Sequence, residues 1–234
     1  YFHPFDVATI VGNPDLVNTI IYNFDLKYSY FMSDTENVKV GLFYKYMEDP
    51  IEDVMRPSTS LPVYSFENAE SATLYGFEID GRKNLDFIHG KLDDYYVAGN
   101  FSYNFSEVTL TEEQKETLTS DSRDLQGLSP YVFNLTVGYE TTDRSVLLNL
   151  NKMAERIRKV GVIDGPDKEL DQYEKPATLL DLVWIEKFNY GYDFELKVKA
   201  GNLLDEEVVW TQGGLVTRTY KAGRTLSMKV SATF

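Results

Sequence analysis

Residues 226–234, LSMKVSATF, alternate strictly between apolar and polar side chains. Leu226, Met228, Val230, Ala232 and Phe234 fall on one side of an extended chain, because successive strand residues point to opposite faces. The serines, the lysine and the threonine fall on the other side. Such a strand fits either a soluble core or the wall of a membrane barrel, and the rest of the chain decides between them.

The same alternation recurs along the sequence. Tyr22, Phe24 and Leu26, for example, alternate with Asn23 and Asp25. Segments of about ten residues or more suit tilted strands that cross a bilayer, whereas globular strands average about five or six residues. The pattern predicts nine long strands: about 18–32, 37–49, 70–84, 94–109, 130–141, 145–158, 176–188, 192–203 and 218–234.

One segment has a competing pattern. Residues 151–160, NKMAERIRKV, show helical spacing at Met153, Ile157 and Val160. The alternation of Val146, Leu148 and Leu150 just before it favours a strand that continues. We keep the helix as an alternative at this position.

The predicted connections alternate in length. The short ones are 33–37, 85–93, 141–144 and 189–191, and the long ones are 49–69, 110–129, 159–175 and 204–217. Short periplasmic turns and long extracellular loops are typical of outer-membrane barrels. The sequence therefore predicts an all-β fold, an antiparallel transmembrane β-barrel fragment whose last strand runs inward to the periplasm.

The composition excludes several classes of function. No apolar run approaches the length of about 18 residues that a transmembrane helix needs. The 17 tyrosines fit the aromatic girdles of a barrel. The absence of cysteine excludes a thiolate nucleophile, and the net charge of −14 argues against nucleic-acid binding. No catalytic triad, phosphate-binding loop or metal-ligand spacing is present, so we predict no enzymatic activity and no cofactor or metal site.

Acidic residues gather in the predicted long loops, as at Glu112, Glu113 and Glu116. Charge runs of this kind are usually solvated surface. A cation site at the mouth of a barrel is the alternative.

Several sequence blocks together carry a resemblance to a known family. They are GNPDL at 12–16, FYKYMEDPIE at 43–52, NAESATLYGFEID at 68–80, LQGLSPYVFN at 125–134, KAGNLLDEE at 199–207, RTYKAGR at 218–224 and the final Phe234. In this order they resemble the carboxy-terminal half of the barrel in TonB-dependent outer-membrane receptors. Ala232 departs from the pattern, since such barrels often have tyrosine there.

The resemblance implies a 22-stranded barrel in the outer membrane of a Gram-negative bacterium, closed by an amino-terminal plug. Such receptors import scarce ligands, such as metal chelates, cobalamin or glycans, with energy relayed from the inner membrane. Residues 1–234 would be the carboxy-terminal part of the barrel, and we expect the plug and the earlier strands to lie in a missing amino-terminal part. The implied partners are outer-membrane lipid, the plug, the TonB energy-transducing complex and the barrel-assembly machinery, with the imported ligand unknown.

Two sets of residues follow as candidates for function. The resemblance implies that the assembly machinery recognises the last strand through Leu226, Met228, Val230, Ala232 and Phe234. Charged residues on the wet side of the strands would line either a hydrated lumen or the contact with the plug: Asp25, Lys27, Lys45, Glu78, Asp80, Arg82, Asp181, Glu195, Lys197 and Lys199.

Two other functions remain open from the sequence. A passive porin or adhesin-type barrel would show the same alternation but would lack an upstream plug. A soluble antiparallel binding domain would need shorter strands and a second layer over each apolar face.

Overall fold

The computed structural model describes residues 2–3, 8–56, 63–120, 122–164 and 167–233. These residues form twenty strands, the α-helix α1 (Glu112–Thr117) and a 3-10 helix (Gly90–Leu92). The strands are β1 (Phe2–His3), β2 (Ala8–Ile10), β3 (Ile20–Phe31), β4 (Asn37–Glu48), β5 (Ile51–Arg56), β6 (Val63–Asn68), β7 (Ser71–Asn84), β8 (Tyr95–Thr109), β9 (Ser122–Arg123), β10 (Tyr131–Glu140), β11 (Arg144–Met153), β12 (Arg156–Lys159), β13 (Ile163–Asp164), β14 (Asp167–Lys168), β15 (Gln172–Lys175), β16 (Leu179–Asn189), β17 (Asp193–Gly201), β18 (Val208–Gln212), β19 (Leu215–Tyr220) and β20 (Thr225–Thr233).

The nine longest strands build one antiparallel main sheet. Its order is β20-β17-β16-β11-β10-β8-β7-β4-β3, so each long strand pairs with the long strand before it in the chain. The two-residue strand β9 adds to the end of β8. The predicted all-β antiparallel fold with nine long strands is confirmed. Within the described residues β3 and β20 are the two edges of an open sheet, so the count of 22 strands stays a prediction.

The connections alternate in length as predicted. Residues 32–36, 85–94, 141–143 and 190–192 turn the chain at one end of the main sheet, which we call the short-turn end. The long connections at the other end are folded rather than irregular, and we call this the loop end. Here lie a sheet of order β1-β2-β6-β5, in which β1 and β2 precede β3 in the chain, a second sheet of order β12-β15-β18-β19 and the pair β13-β14.

Two predicted strands are each divided in the structure. The segment 218–234 was predicted as one strand, but β19 and β20 lie in different sheets and are separated by residues 221–224. Gly223 has a φ of 81° in this break, a backbone conformation that glycine adopts at little cost. The segment 145–158 likewise divides at residues 154–155 into β11 and β12. Residues 156–159 are a strand, so the helical alternative for 151–160 is wrong.

The apolar core lies at the loop end, beneath the described residues of the connections 49–70, 110–130 and 154–178, which we call the loop cap. Its buried members come from the cap and from the ends of β7 and β8: Ala69, Ala72, Val108, Leu110, Leu118, Ile157, Val160 and Val162. Ala72 lies opposite Met47 and Val108, and all three share the sheet face that carries Lys45 and Glu78. At the loop end, the polar face of the main sheet therefore carries apolar residues, and the loop cap packs against them.

A buried ion pair joins two connections of the loop cap. Arg123 donates from both terminal guanidinium nitrogens to the Glu52 carboxylate, and the two side chains are only 3% and 6% exposed. Removing one member of such a pair leaves an uncompensated charge and costs about 3–5 kcal/mol. Thr119 N–H also donates to the Gly161 carbonyl, and Gly161 N–H donates to Asp171. The cap is thus one connected structure over the loop end of the sheet.

Candidate functional site

The pairing register brings all ten charged candidates onto one face of the main sheet, which we call the polar face. Directly paired residues share a face, as do residues two apart on one strand. Lys27, for example, lies opposite Gly41, which lies opposite Glu78. The same steps across the sheet reach Lys199 on β17. Contact of this face with a lumen or a plug stays a prediction.

Four of the ten candidates surround one cavity on the β3–β4–β7 part of the polar face. Asp25, Lys27, Lys45 and Glu78 line this space of about 450 Å³ together with Phe43. Within the described residues, none of the four charged groups has an ion-pair or side-chain hydrogen-bond partner. A charge that leaves water needs a partner of opposite sign or a hydrogen bond. The cavity therefore suits a second protein segment or a ligand that carries both signs of charge.

Elsewhere on the polar face, some charged side chains pair with one another. Neighbouring side chains form three ion pairs there: Lys39 with Asp80 at 3.0 Å, Arg82 with Glu140 at 3.1 Å, and Lys199 with Asp181 at 2.8 Å. Pairs this exposed contribute little to stability, typically about 0–1 kcal/mol. These six charges are therefore compensated within the sheet.

The remaining two candidates lie apart from these groups. Glu195 lies opposite Ser231 and lines a separate cavity near the short-turn end. Lys197 lies opposite Lys229, so two like charges adjoin there. The structure does not bring either residue to the cavity of Asp25 and Lys45.

An amide ladder across three strands was missed by the sequence prediction. Asn134 Nδ2 donates to Asn100 Oδ1 at 2.8 Å, and Asn151 Nδ2 donates to Asn134 Oδ1 at 2.6 Å. Beside it, Thr136 donates to Asn149 Oδ1 at 2.8 Å. The sequence shows these residues on the polar side of their strands, but only the register shows that they adjoin.

The opposite face of the main sheet is apolar and exposed. Leu26 is 71% exposed and Leu226 is 79% exposed, although both are large apolar side chains. Aromatic rings stack along this face, as in Tyr75 and Phe105, whose centroids are 5.2 Å apart. An apolar surface of this extent on a soluble protein would be an aggregation hazard, whereas the outer wall of a membrane barrel requires one.

The predicted assembly signal lies partly on this apolar face. Leu226, Met228, Val230 and Ala232 lie opposite the apolar-face residues Ala200, Val198, Leu196 and Phe194. Phe234 lies outside the described residues. Recognition of this strand by an assembly machinery stays a prediction.

The candidate chemistry outside the main sheet is limited. His89 belongs to a short turn, where its Nδ1 accepts a hydrogen bond from the Lys91 N–H at 3.1 Å. In the part of the chain that the structure describes, no group of three or more histidine or acidic side chains is placed to hold a metal ion. Nor do the described residues include a helix that is long and apolar enough to span a membrane.

Solved structures of transport receptors share this fold. The chain superimposes on the copper transporter OprC with a TM-score of 0.64 and 17% identity, and the match covers 94% of this chain and 33% of that one. The ferric enterobactin receptor PfeA of Pseudomonas aeruginosa gives a TM-score of 0.59 at 16% identity, covering 96% and 33%. The siderophore receptor PirA of Acinetobacter baumannii gives 0.58 at 16% identity, also covering 96% and 33%. The chain thus spans about a third of the length of these structures.

Sequence comparison gives a more specific result than the fold alone. No curated protein matches the chain. A family model described as the TonB-dependent receptor-like β-barrel matches residues 1–221. This range includes eight of the nine long strands of the main sheet and the whole loop cap. The chain belongs to the TonB-dependent receptor β-barrel family, as the sequence blocks predicted.

Proposed function

We propose that the chain forms part of the barrel wall and the extracellular loops of an active transport receptor in the outer membrane of a Gram-negative bacterium. The family consists of outer-membrane transport receptors. The receptor would import a scarce nutrient, such as a metal chelate, cobalamin or a glycan, with energy relayed through TonB. The plug and the contact with the energy transducer would belong to the part of the receptor beyond this chain.

One observation on the polar face supports this proposal most directly. Asp25, Lys27, Lys45 and Glu78 surround a cavity, and none of the four forms an ion pair or a side-chain hydrogen bond with a described residue. A water-filled porin needs no partner for these groups, because water solvates them. A plug inside the barrel would supply opposite charges at this point and would be held there.

The structural neighbours support the fold and not a cargo. Their printed names concern copper, ferric enterobactin and siderophores. Because each is 17% identical to this chain or less, the nature of the nutrient has to come from experiment.

The first experiment separates a plugged receptor from a passive porin. We expect liposomes that contain the full-length receptor to resist swelling in arabinose, and cells that produce it to remain resistant to vancomycin. The double variant Lys27→Glu/Lys45→Glu should sensitise cells to vancomycin, because the plug loses its anchor. Lys91→Glu, at an exposed short turn, is the matched control and should have no effect. Free swelling with the unmodified receptor would favour the porin.

The second experiment addresses energy coupling. We expect cells with the full-length receptor to take up one member of a panel of labelled ferric chelates, cobalamin and oligosaccharides, and a protonophore should abolish this uptake. Uptake that follows the concentration gradient alone and survives the protonophore would contradict active transport.

A further inference from the structure

Arginine side chains gather around a buried tryptophan on the sheet β12-β15-β18-β19. The Arg158 guanidinium carbon lies 3.6 Å from the centroid of the Trp210 ring, and that of Arg218 lies 4.8 Å from it. Trp210 itself is only 4% exposed. A guanidinium over an indole face is attracted by the ring, so Trp210 holds both guanidinium groups in place.

The strand register builds this arrangement. Trp210 lies opposite Glu174 on one side and Arg218 on the other. A register shift between Ile157 and Lys159 brings the intervening Arg158 to the same group. Trp210 Nε1 donates to Glu174 at 3.0 Å, and Arg156 pairs with the same carboxylate at 2.7 Å. The ring is therefore oriented before any ligand arrives.

An open cavity of about 130 Å³ lies against this stack. Besides Trp210 and the two arginines, it is lined by Tyr64, Gln172 and Thr217. Gln172 accepts a hydrogen bond from Arg158 at 2.7 Å and donates to Thr217 at 3.3 Å. The lining thus combines two guanidinium groups with an amide and two hydroxyl groups.

A third cation stands next to this cavity. The Lys159 ammonium lies 4.1 Å from the centroid of the Tyr64 ring, and Asp53 accepts from it at 3.1 Å. Three basic side chains therefore converge on a small region of a chain whose net charge is −14.

We propose that this cavity binds an oxyanion: a phosphate, sulfate or carboxylate group of a soluble ligand. A planar guanidinium presents its N–H donors as a fork that matches two oxygens of such a group, and a stacked guanidinium loses less entropy on binding. The three basic side chains favour an anion at this point of a chain whose net charge is −14. The proposal rests on the proposed function only in that the soluble ligand would be the cargo of the receptor.

Calorimetric titration of the purified full-length receptor tests the site with inorganic phosphate. We expect saturable binding at constant ionic strength. Arg158→Gln and Arg218→Gln should each weaken it at least about tenfold, since each removes charge-assisted hydrogen bonds. Arg158→Lys should also weaken binding, because it keeps the charge but loses the fork. Arg56→Gln, which replaces an arginine elsewhere in the loop cap, is the matched control and should bind phosphate as the wild type does.

The outcomes separate this proposal from the proposed function. A receptor that binds none of phosphate, sulfate and acetate, or whose arginine variants bind phosphate like the wild type, would overturn the site even if uptake is energy-coupled. Arginine-dependent binding to lipid A micelles without binding to inorganic phosphate would assign a lipid headgroup and overturn the soluble ligand. Near-ultraviolet circular dichroism of each variant confirms that the tryptophan environment is kept. Arginine-dependent phosphate binding supports the site even if uptake proves passive.

Discussion

At the scale of single residues, the sheet depends on glycine where two strands crowd a third. A Cβ at Gly76 would overlap the Tyr103 carbonyl oxygen and would lie 2.7 Å from the Phe43 ring. Gly41 lies on the same face one strand away, and a Cβ there would meet nothing closer than 3.9 Å. A glycine within a long strand permits either curvature or the close approach of a neighbour, and at Gly76 the structure shows the close approach.

The two glycines should respond differently to the same substitution. Gly76→Ala should lower the free energy of unfolding by about 1–3 kcal/mol, because the added methyl group overpacks the sheet. Gly41→Ala should be neutral or slightly stabilising, since alanine loses less entropy on folding. Urea unfolding of the full-length receptor in bilayers measures both. Equal losses for the two variants would show that the packing at Gly76 is not special.

A second residue-scale feature is a group of hydrogen bonds to the Glu36 carboxylate at the short-turn end, which we call the Glu36 lock. Its carboxylate accepts from the Lys83 ammonium at 2.8 Å and from the Asn84 N–H at 3.0 Å. These hydrogen bonds, that from Lys83 first, lower the pKa of Glu36 below its ordinary value of 4.5. While Glu36 is ionised, the Glu36 lock therefore connects the turn between β3 and β4 to the end of β7.

The lowered pKa sets the direction of a pH effect. The stabilisation is complete above the unfolded-state pKa of 4.5 and is lost as the pH falls through the lower folded-state pKa. The wild type should thus be more stable than Glu36→Gln at neutral pH, and the difference should shrink in acid. Urea unfolding of both proteins across this pH range measures the difference. A difference in stability that is constant with pH would show that the ionised Glu36 carboxylate does not stabilise the fold.

At the scale of elements, alternation predicted the long strands well and their ends less well. The strands 37–49 and 70–84 agree with the observed β4 and β7 to within one residue, because apolar residues recur at every second position through the middle of each segment. The break between β19 and β20 was missed because residues typical of a strand both precede and follow Gly223. Only the partners differ: β19 pairs with β18 and β20 with β17, and a single sequence does not show partners.

The two faces of one strand should differ sharply in their tolerance of charge. Leu196 and Lys197 are neighbours on β17 and point to the apolar and polar faces, respectively. Leu196→Arg should lower the stability of the barrel in bilayers by about 2–4 kcal/mol if the residue lies near the midplane. Lys197→Ala, on the polar face, should cost far less. A urea titration of the full-length receptor that gives equal losses would contradict the assignment of the faces.

At the scale of the whole molecule, the sequence predicted which surfaces exist but not how they are used. Period two placed Asp25, Lys27, Lys45 and Glu78 on one face, but their grouping around a cavity depends on the register. The loop cap was unpredicted, because its contacts join segments far apart in the chain, as Arg123 and Glu52 do. The same holds for the group around Trp210. Long-range contacts of this kind leave no periodic signal in the sequence.

The main sheet should separate lipid on its apolar face from the lumen of a barrel on its polar face. Nitroxide labels at Leu148, Asn149, Leu150 and Asn151 of β11, in the full-length receptor in lipid bilayers, test it directly. We predict that relaxation by dissolved oxygen, which concentrates in lipid, is strong at 148 and 150 and weak at 149 and 151. Uniform relaxation at the four positions, or alternation with the opposite phase, would contradict this assignment of the two faces.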